Sequence, residues 1–339
     1  MTTAVAVDLG KTGCRAVLWN DDGGHAPRVH EVPGAPGLAA DDGVATAHAA
    51  VRAAVLPLLD REPSLRPAAV CVGAAGAAAA PEAAHALARL LLEDLAANEV
   101  AVTSDAVTAH AGALGGRTGV VLAIGTGSVA IGIGDDGSYA RVDGWGPWLG
   151  DEGSGAWIGA AGLRAALRAH DGRGPGTALL AAAVKRFGEP DLLPSAVGRG
   201  GNPARTVASF APDVARAAAA GDTTANAIVR SAAAALGETV LAAARRIGGG
   251  GALAVTVTGG LTGLGEPLLG PLRSALAGSP HPLDPRPPLG DPLDGARLLA
   301  LDASAPHEPH VARVRRATLT APTPPVTTSA VSQECACAN

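Results

Sequence analysis

Ala4-Val5-Ala6-Val7-Asp8-Leu9-Gly10-Lys11-Thr12-Gly13-Cys14-Arg15-Ala16-Val17-Leu18-Trp19 consists of two apolar runs separated by a glycine-containing turn. Residues 4–7 and 14–19 read as strands, and the turn between them makes a hairpin. Asp21-Asp22-Gly23 follows. The plan returns in Val120-Val121-Leu122-Ala123-Ile124, the turn Gly125-Thr126-Gly127-Ser128, the run from Val129 to Ile133, and then Asp135-Asp136-Gly137. The second Asp-Asp-Gly stands 114 positions after the first. A repeat of that length marks a duplicated domain, because solenoid units run to roughly 20–50 residues. Each copy is expected to open one lobe.

Between the copies, residues 68–73 read as a buried strand, 81–98 as an apolar-periodic helix, and 100–103 as a strand ending at Ser104-Asp105. This alternation predicts an α/β fold with parallel sheet and crossover helices. In the second half, 154–170 and 223–247 read as helices and 253–258 as a buried strand running into Gly259-Gly260. The prolines of 278–292 predict an irregular surface loop. The expected organisation is an N-terminal lobe over 1–113, a C-terminal lobe over 114–316, and a Pro/Thr/Ser-rich tail over 317–339.

A chain of 339 residues that is 47% apolar can bury the core of two domains. It carries 26 basic and 31 acidic residues, a net charge of −5, without a long run of either sign, so neither a nucleic acid nor a membrane surface is an expected partner. The N-terminus runs straight into a strand without a basic leader, and no apolar stretch reaches the roughly 20 residues of a membrane span, so a cytoplasmic location is expected. Cys14, Cys71, Cys335 and Cys337 match neither a disulfide framework nor a zinc site, since the Cys335-x-Cys337 pair has no second pair nearby. Lysine occurs only at Lys11 and Lys185, and Lys11 stands inside the first glycine turn.

Nucleoside triphosphates are held by converging backbone N–H groups, and glycine lets the backbone approach phosphate closely. The first turn offers Gly10, Lys11 and Thr12, with Asp8 placed to hold Mg²⁺ through water. The second offers Gly125, Thr126, Gly127 and Ser128. Either turn alone also fits a plain hairpin, and Gly10-Lys11-Thr12 lacks the earlier glycine of a Walker A loop. Gly125-Thr126-Gly127-Ser128-Val129-Ala130 fits G-x-G-x-x-A, but a dinucleotide turn opens a helix, and 129–133 reads as a strand. Two such turns at matching points of a repeat favour a triphosphate clamp.

Asp105 ends a predicted strand, where ligands of open α/β sheets bind, and is placed to act as general base toward a substrate hydroxyl. Equally, Ser104 or Asp105 could cap the following helix. Gly144-Trp145-Gly146-Pro147-Trp148-Leu149-Gly150-Asp151-Glu152-Gly153-Ser154-Gly155 holds five glycines, two of the four tryptophans and two adjacent acids. Indole beside carboxylate suits a polyhydroxylated ring. An acidic first helical turn would explain Asp151 and Glu152 but not the tryptophans.

Taken in order, Asp8-Leu9-Gly10-Lys11-Thr12, Thr103-Ser104-Asp105-Ala106, Gly125-Thr126-Gly127-Ser128 and Gly144-Trp145-Gly146 through Gly150-Asp151-Glu152-Gly153-Ser154 resemble the BadF/BadG/BcrA/BcrD-type ATPases. Within that family they resemble the N-acetylglucosamine and glucosamine kinases of the actin-like sugar-kinase superfamily. The resemblance covers roughly residues 3–300. It implies a two-lobed, ribonuclease H-like fold with a cleft, ATP and Mg²⁺ as cofactors, and a small sugar as partner. It makes Asp105 the base and places Gly144, Trp145, Asp151 and Glu152 at the sugar. It also makes Thr258-Gly259-Gly260 the adenosine motif. Leu9 and Lys11 replace two glycines of the family's usual first turn. The asparagine that N-acetylglucosamine kinases carry after the second strand is absent, and Asp41 and Asp42 occupy that loop.

These departures lead to the expectation of a glucosamine kinase forming glucosamine 6-phosphate, with N-acetylglucosamine as the alternative acceptor. A third reading is a nucleotide- and sugar-sensing regulator without catalysis. A fourth is a dehydratase activator; such activators share an iron–sulfur cluster between subunits through cysteines, and against it Cys14 and Cys71 stand on predicted buried strands. The sequence leaves a homodimer open.

Overall fold

The computed structural model describes residues 3–20, 28–61, 66–249 and 251–316. Asp21-Asp22-Gly23 and the tail from 317, with Cys335 and Cys337, lie outside them. In strand β1 (Thr3–Leu9) the side chains alternate. Val5, Val7 and Leu9 enter one core layer while Ala4 and Ala6 enter another. Strand β1 therefore has apolar packing on both faces, as parallel sheet requires. Next come β2 (Gly13–Asn20), β3 (Arg28–Pro33), α1 (Gly43–Leu59), β4 (Ala69–Ala74), α2 (Pro81–Asp94), β5 (Glu99–Ser104) and α3 (Asp105–Leu114). Their strands lie in the order β3-β2-β1-β4-β5, with β1, β4 and β5 parallel.

The second half repeats this arrangement. Strands β6 (Gly119–Ile124), β7 (Ser128–Ile133) and β8 (Tyr139–Asp143) form an antiparallel meander. Helices α4 (Gly155–His170), α5 (Ala178–Phe187), α6 (Leu193–Gly198), α7 (Pro203–Ala208), α8 (Ala211–Ala219) and α9 (Thr223–Ile247) follow. Then come β9 (Leu253–Thr258), α10 (Glu266–Ala277) and β10 (Leu283–Pro285). The order β8-β7-β6-β9-β10 matches the first sheet strand for strand. Helix α9 is long and apolar enough by length and composition to cross a membrane, unlike the sequence expectation. Val229, Leu236, Val240 and Ile247 of α9 are nevertheless buried in the second core.

Two expectations change. The proline-rich stretch 278–292 is not wholly irregular, because β10 pairs in parallel with β9 at the sheet edge, where a terminal proline is tolerated. The chain also returns to the first sheet, so a C-terminal lobe running to 316 does not follow the strand pairing. Helix α11 (Pro292–Leu301) packs on α3, and β11 (Ala312–Arg315) pairs antiparallel with β5. Close approach explains the first contact: a Cβ on Gly112 would stand 1.9 Å from the Asp291 carbonyl, and one on Gly295 1.9 Å from that of Thr108. Arg313 locks the second, reaching Glu99, Glu308 at 2.7 Å and the Leu299 carbonyl at 2.9 Å while almost fully buried.

The passage between the sheets is bridged by buried histidines. His110 of α3 lies 3.0 Å through Nε2 from the carbonyl of Gly119, the first residue of β6, and 2.9 Å through Nδ1 from His307 Nε2. A carbonyl only accepts, so His110 carries its proton on Nε2 and its Nδ1 accepts from His307. His307 Nδ1 is then a buried lone pair with no partner among the described residues. Burial pushes His110 down to about 4 and His307 to about 3, so both are neutral at pH 7.

Candidate active site

A cleft of about 700 Å³ opens between the two sheets. Its wall includes Asp8 at the end of β1, Asp105 at the start of α3, the turn residues Gly125, Gly127 and Ser128, Gly144, Asp151 and Gly259. Eight expected site residues, remote in sequence, therefore face one space. Matching topology brings this about, since the β1–β2 and β6–β7 hairpins occupy equivalent positions in the two sheets.

Asp8 stands directly opposite Arg15 across the hairpin, and the guanidinium donates to its carboxylate at 2.7 Å. Gly10 lies at the hairpin tip and the side chains of Lys11 and Thr12 are exposed, outside the cleft wall. Lys11 nevertheless acts electrostatically on Asp105.

Ser104 caps α3, its hydroxyl oxygen accepting from Val107 N–H at 3.2 Å. Asp105 is thus released from capping, and its Oδ1 accepts from the adjacent Ala106 N–H at 2.9 Å. Desolvation, reinforced by the negative charge of Asp8, raises its pKa above the ordinary aspartate range. A carboxylate with raised proton affinity at a cleft wall is suited to accept a hydroxyl proton.

In the second turn, the Gly125 and Thr126 carbonyls accept from the N–H groups of Gly155 and Ala156 at 2.9 and 3.0 Å, which seats the turn on the start of α4. The Cβ position of Gly125 faces open space. Gly259 has φ +97, and a Cβ there would lie 2.2 Å from the Ile124 carbonyl. Only glycine fits where β9 passes the end of β6. Thr126 and Gly260 are exposed and lie off the cleft wall.

Asp143, which sequence reading missed, organises the glycine-rich loop. Its two carboxylate oxygens accept from the N–H groups of Asp151 at 2.8 Å and Glu152 at 2.9 Å. Asp143 and Asp151 both have positive φ, at 62° and 54°. Gly146 N–H donates to Asp151 Oδ1 at 3.2 Å. The Glu152 side chain points to solvent, and this residue enters the site through its backbone, its carbonyl accepting from the Ser128 hydroxyl at 2.9 Å. Trp145 is exposed beside the cleft, with the Arg141 guanidinium 5.2 Å from its ring centroid. Arg141 and Tyr139, also missed, line the cleft itself. Asp41 and Asp42 are exposed at the start of α1 and do not reach its wall.

Among the described residues no group of three or more His, Cys, Asp or Glu forms a metal cluster. Asp8 and Asp105 alone face the cleft near the first hairpin, a donor set that fits Mg²⁺ held mainly by phosphate oxygens and water. Cys14 and Cys71 are buried on β2 and β4, where burial pushes both thiols up to about 12. Neither is placed to share a cluster with another subunit, so among the described residues the burial expected from the sequence weighs against the dehydratase-activator reading.

The model of the BadF/BadG/BcrA/BcrD ATPase family matches residues 5–276. The chain belongs to that family. A family relative, the N-acetylmuramic acid/N-acetylglucosamine kinase of Clostridium acetobutylicum, is 31% identical over 176 residues, 50% of this chain and 55% of that protein. The chain spans about half the length of the curated relatives it matches. A solved structure from Chromobacterium violaceum, assigned provisionally as an N-acetylglucosamine kinase, is 30% identical with TM-score 0.64 over 89% of this chain and 99% of that one. A glucokinase of the ROK family from Streptomyces griseus, at 19% identity and TM-score 0.51 over 88% and 99%, shares the fold. The family member described here thus has the two-lobed actin-like architecture, with its cleft between duplicated sheets.

Proposed function

We propose that this protein transfers the γ-phosphoryl group of ATP to a hydroxyl of an amino sugar. The observation that carries the reading is Asp105, freed from capping by Ser104 and facing the same cleft as the Gly125–Ser128 turn. Asp105 accepts the proton of the acceptor hydroxyl as that oxygen forms its bond to phosphorus, and the bond between the β- and γ-phosphates breaks to release ADP. The turn glycines and Lys11 of the first hairpin bind phosphate, Gly259 and Gly260 border the nucleoside, and Trp145 with Asp151 holds the sugar. Mg²⁺, with Asp8 as its protein ligand, would neutralise charge on the transferring phosphates. Closure of the lobes about the cleft would exclude water from the reacting atoms.

Of the two acceptors, N-acetylglucosamine is favoured over glucosamine. The relatives carry that name, and Asp41 and Asp42, the acids that would have held a free ammonium, lie away from the cleft wall. The expected product is the sugar 6-phosphate. The test is ADP formation with N-acetylglucosamine, glucosamine and glucose. Turnover of glucose above both amino sugars, or no turnover of any sugar, overturns the reading, and preference for glucosamine reverses the choice of acceptor.

A further inference from the structure

A second hollow, of about 280 Å³, opens beside Ser104. Ala78, Ser104 and Tyr139 line both this hollow and the cleft, so the one continues the other. The rest of its wall is mainly apolar, with Pro81 from α2, Val107 from α3 and Val311 from the returning segment. Its polar groups are largely engaged. The Thr103 hydroxyl donates to the His310 carbonyl at 2.7 Å, the Ser104 hydroxyl oxygen accepts from Val107 N–H at 3.2 Å, and His310 Nε2 donates to the Gly137 carbonyl at 2.8 Å. Tyr139 packs tilted against the His310 ring, their centroids 5.1 Å apart, and among the described residues its hydroxyl has no hydrogen-bond partner.

A mainly apolar wall with one free polar group is the lining that small ligands occupy. Ser104 immediately precedes Asp105, and consecutive Cα atoms stand about 3.8 Å apart, less than the span of a hexose. An acceptor whose hydroxyl meets Asp105 therefore has the mouth of the hollow within reach of a substituent across its ring. A free ammonium would lose water there and gain no charged partner. An N-acyl group fits instead, its carbonyl accepting from the Tyr139 hydroxyl and its alkyl end meeting Pro81, Val107 and Val311. A methyl group is about the size of a water molecule, whose share of liquid volume is roughly 30 Å³, so an acetyl group would leave most of the hollow unfilled.

Resting on the amino-sugar kinase reading, we infer that this hollow is a subsite for the acyl group on the acceptor's nitrogen, with Tyr139 as a specificity-determining residue, and that it takes chains longer than acetyl. The acceptor class becomes N-acylated glucosamines.

The probes are glucosamine and its N-acetyl, N-propionyl and N-butyryl derivatives, measured with the full chain by kcat/KM at saturating ATP and by calorimetric sugar binding. In wild type, kcat/KM should hold or rise from acetyl to butyryl, by up to about fourfold for each methylene buried. Y139F should lower the ratio of N-acetylated over free amine roughly tenfold, because the acyl carbonyl loses its donor. A78L, at an exposed position of the shared wall, should narrow the hollow and reverse the series, so that the butyryl sugar loses most. A loss beyond tenfold from acetyl to propionyl in wild type, or turnover of glucosamine alone, overturns the inference and leaves the kinase reading standing. An unmoved ratio in Y139F, or equal losses on all four sugars in A78L, does the same. If wild type neither binds nor phosphorylates any of the four, the kinase reading falls as well.

Discussion

Gly127 and Asp151 lie against each other: a Cβ on Gly127 would stand 2.6 Å from Asp151 Oδ2. The second hairpin turn and the glycine-rich loop thus share a wall of the cleft, one expected to meet phosphate and the other sugar. G127A should therefore displace Asp151 and raise the KM of sugar as well as that of ATP, each about tenfold, or ~1.4 kcal/mol. G125A, whose methyl faces open space, should act mainly on ATP. Steady-state kinetics with each substrate varied separates the two. A sugar KM unmoved in G127A would detach Asp151 from the acceptor.

Replacing Asp105 by Asn retains its shape and its contact with Ala106 N–H but removes the proton acceptor. D105N should bind ATP and sugar by calorimetry while turning over at least ~10²-fold more slowly. In wild type the acid limb of kcat/KM should lie at higher pH than an ordinary aspartate gives, because burial and Asp8 favour the protonated form. Turnover of D105N within a few-fold of wild type would end the assignment.

Asp143 holds two loop N–H groups with one side chain. D143A should leave both without their acceptor, cost about 1–3 kcal/mol in unfolding free energy, and raise the sugar KM through the displaced Asp151. D143N keeps one acceptor and suits the left-handed backbone, so it should fall between the two. Denaturant melts and kinetics of the three proteins test this order.

The histidine bridge predicts a pH dependence of stability. Between about pH 6.5 and 4 the unfolded chain takes up a proton that folded His110 does not, so its contribution is present above that window and lost as pH falls through it. The loss is on the order of 3 kcal/mol from His110 alone. Urea unfolding of wild type at pH 7.5, 6 and 5 should show the decline, and the H110L/H307L double variant should flatten it. An equal decline in the double variant would place the effect elsewhere.

Much of the fold was legible because it is written in local patterns. Helix α9 spans the expected residues 223–247 and β9 the expected 253–258, since their apolar periods and flanking polar or glycine residues are continuous. The Asp8–Arg15 pair was open to the same reading, because a four-residue turn from Gly10 to Gly13 fixes which residues oppose each other. The return of α11 and β11 was not legible. Their sequences state that they form a helix and a strand, but the choice of sheet is made by partners some two hundred positions away, such as Glu99 for Arg313. Asp143 escaped for another reason. Its role rests on a left-handed backbone that residue type permits without requiring. Asp41 and Asp42 were placed by resemblance alone, and the loop carries them past the cleft to the start of α1.

The homecoming of residues 292–315 also fixes the order in which this molecule can be finished on the ribosome. When residue 290 has just been added, all five strands of the second sheet already exist, whereas the first sheet, although made earlier, still lacks β11 along its edge and α11 over Ala4, Ala6 and Cys71. The half of the protein that is translated first is thus completed last, and a nascent chain must shelter an open alanine-lined face until α11 emerges.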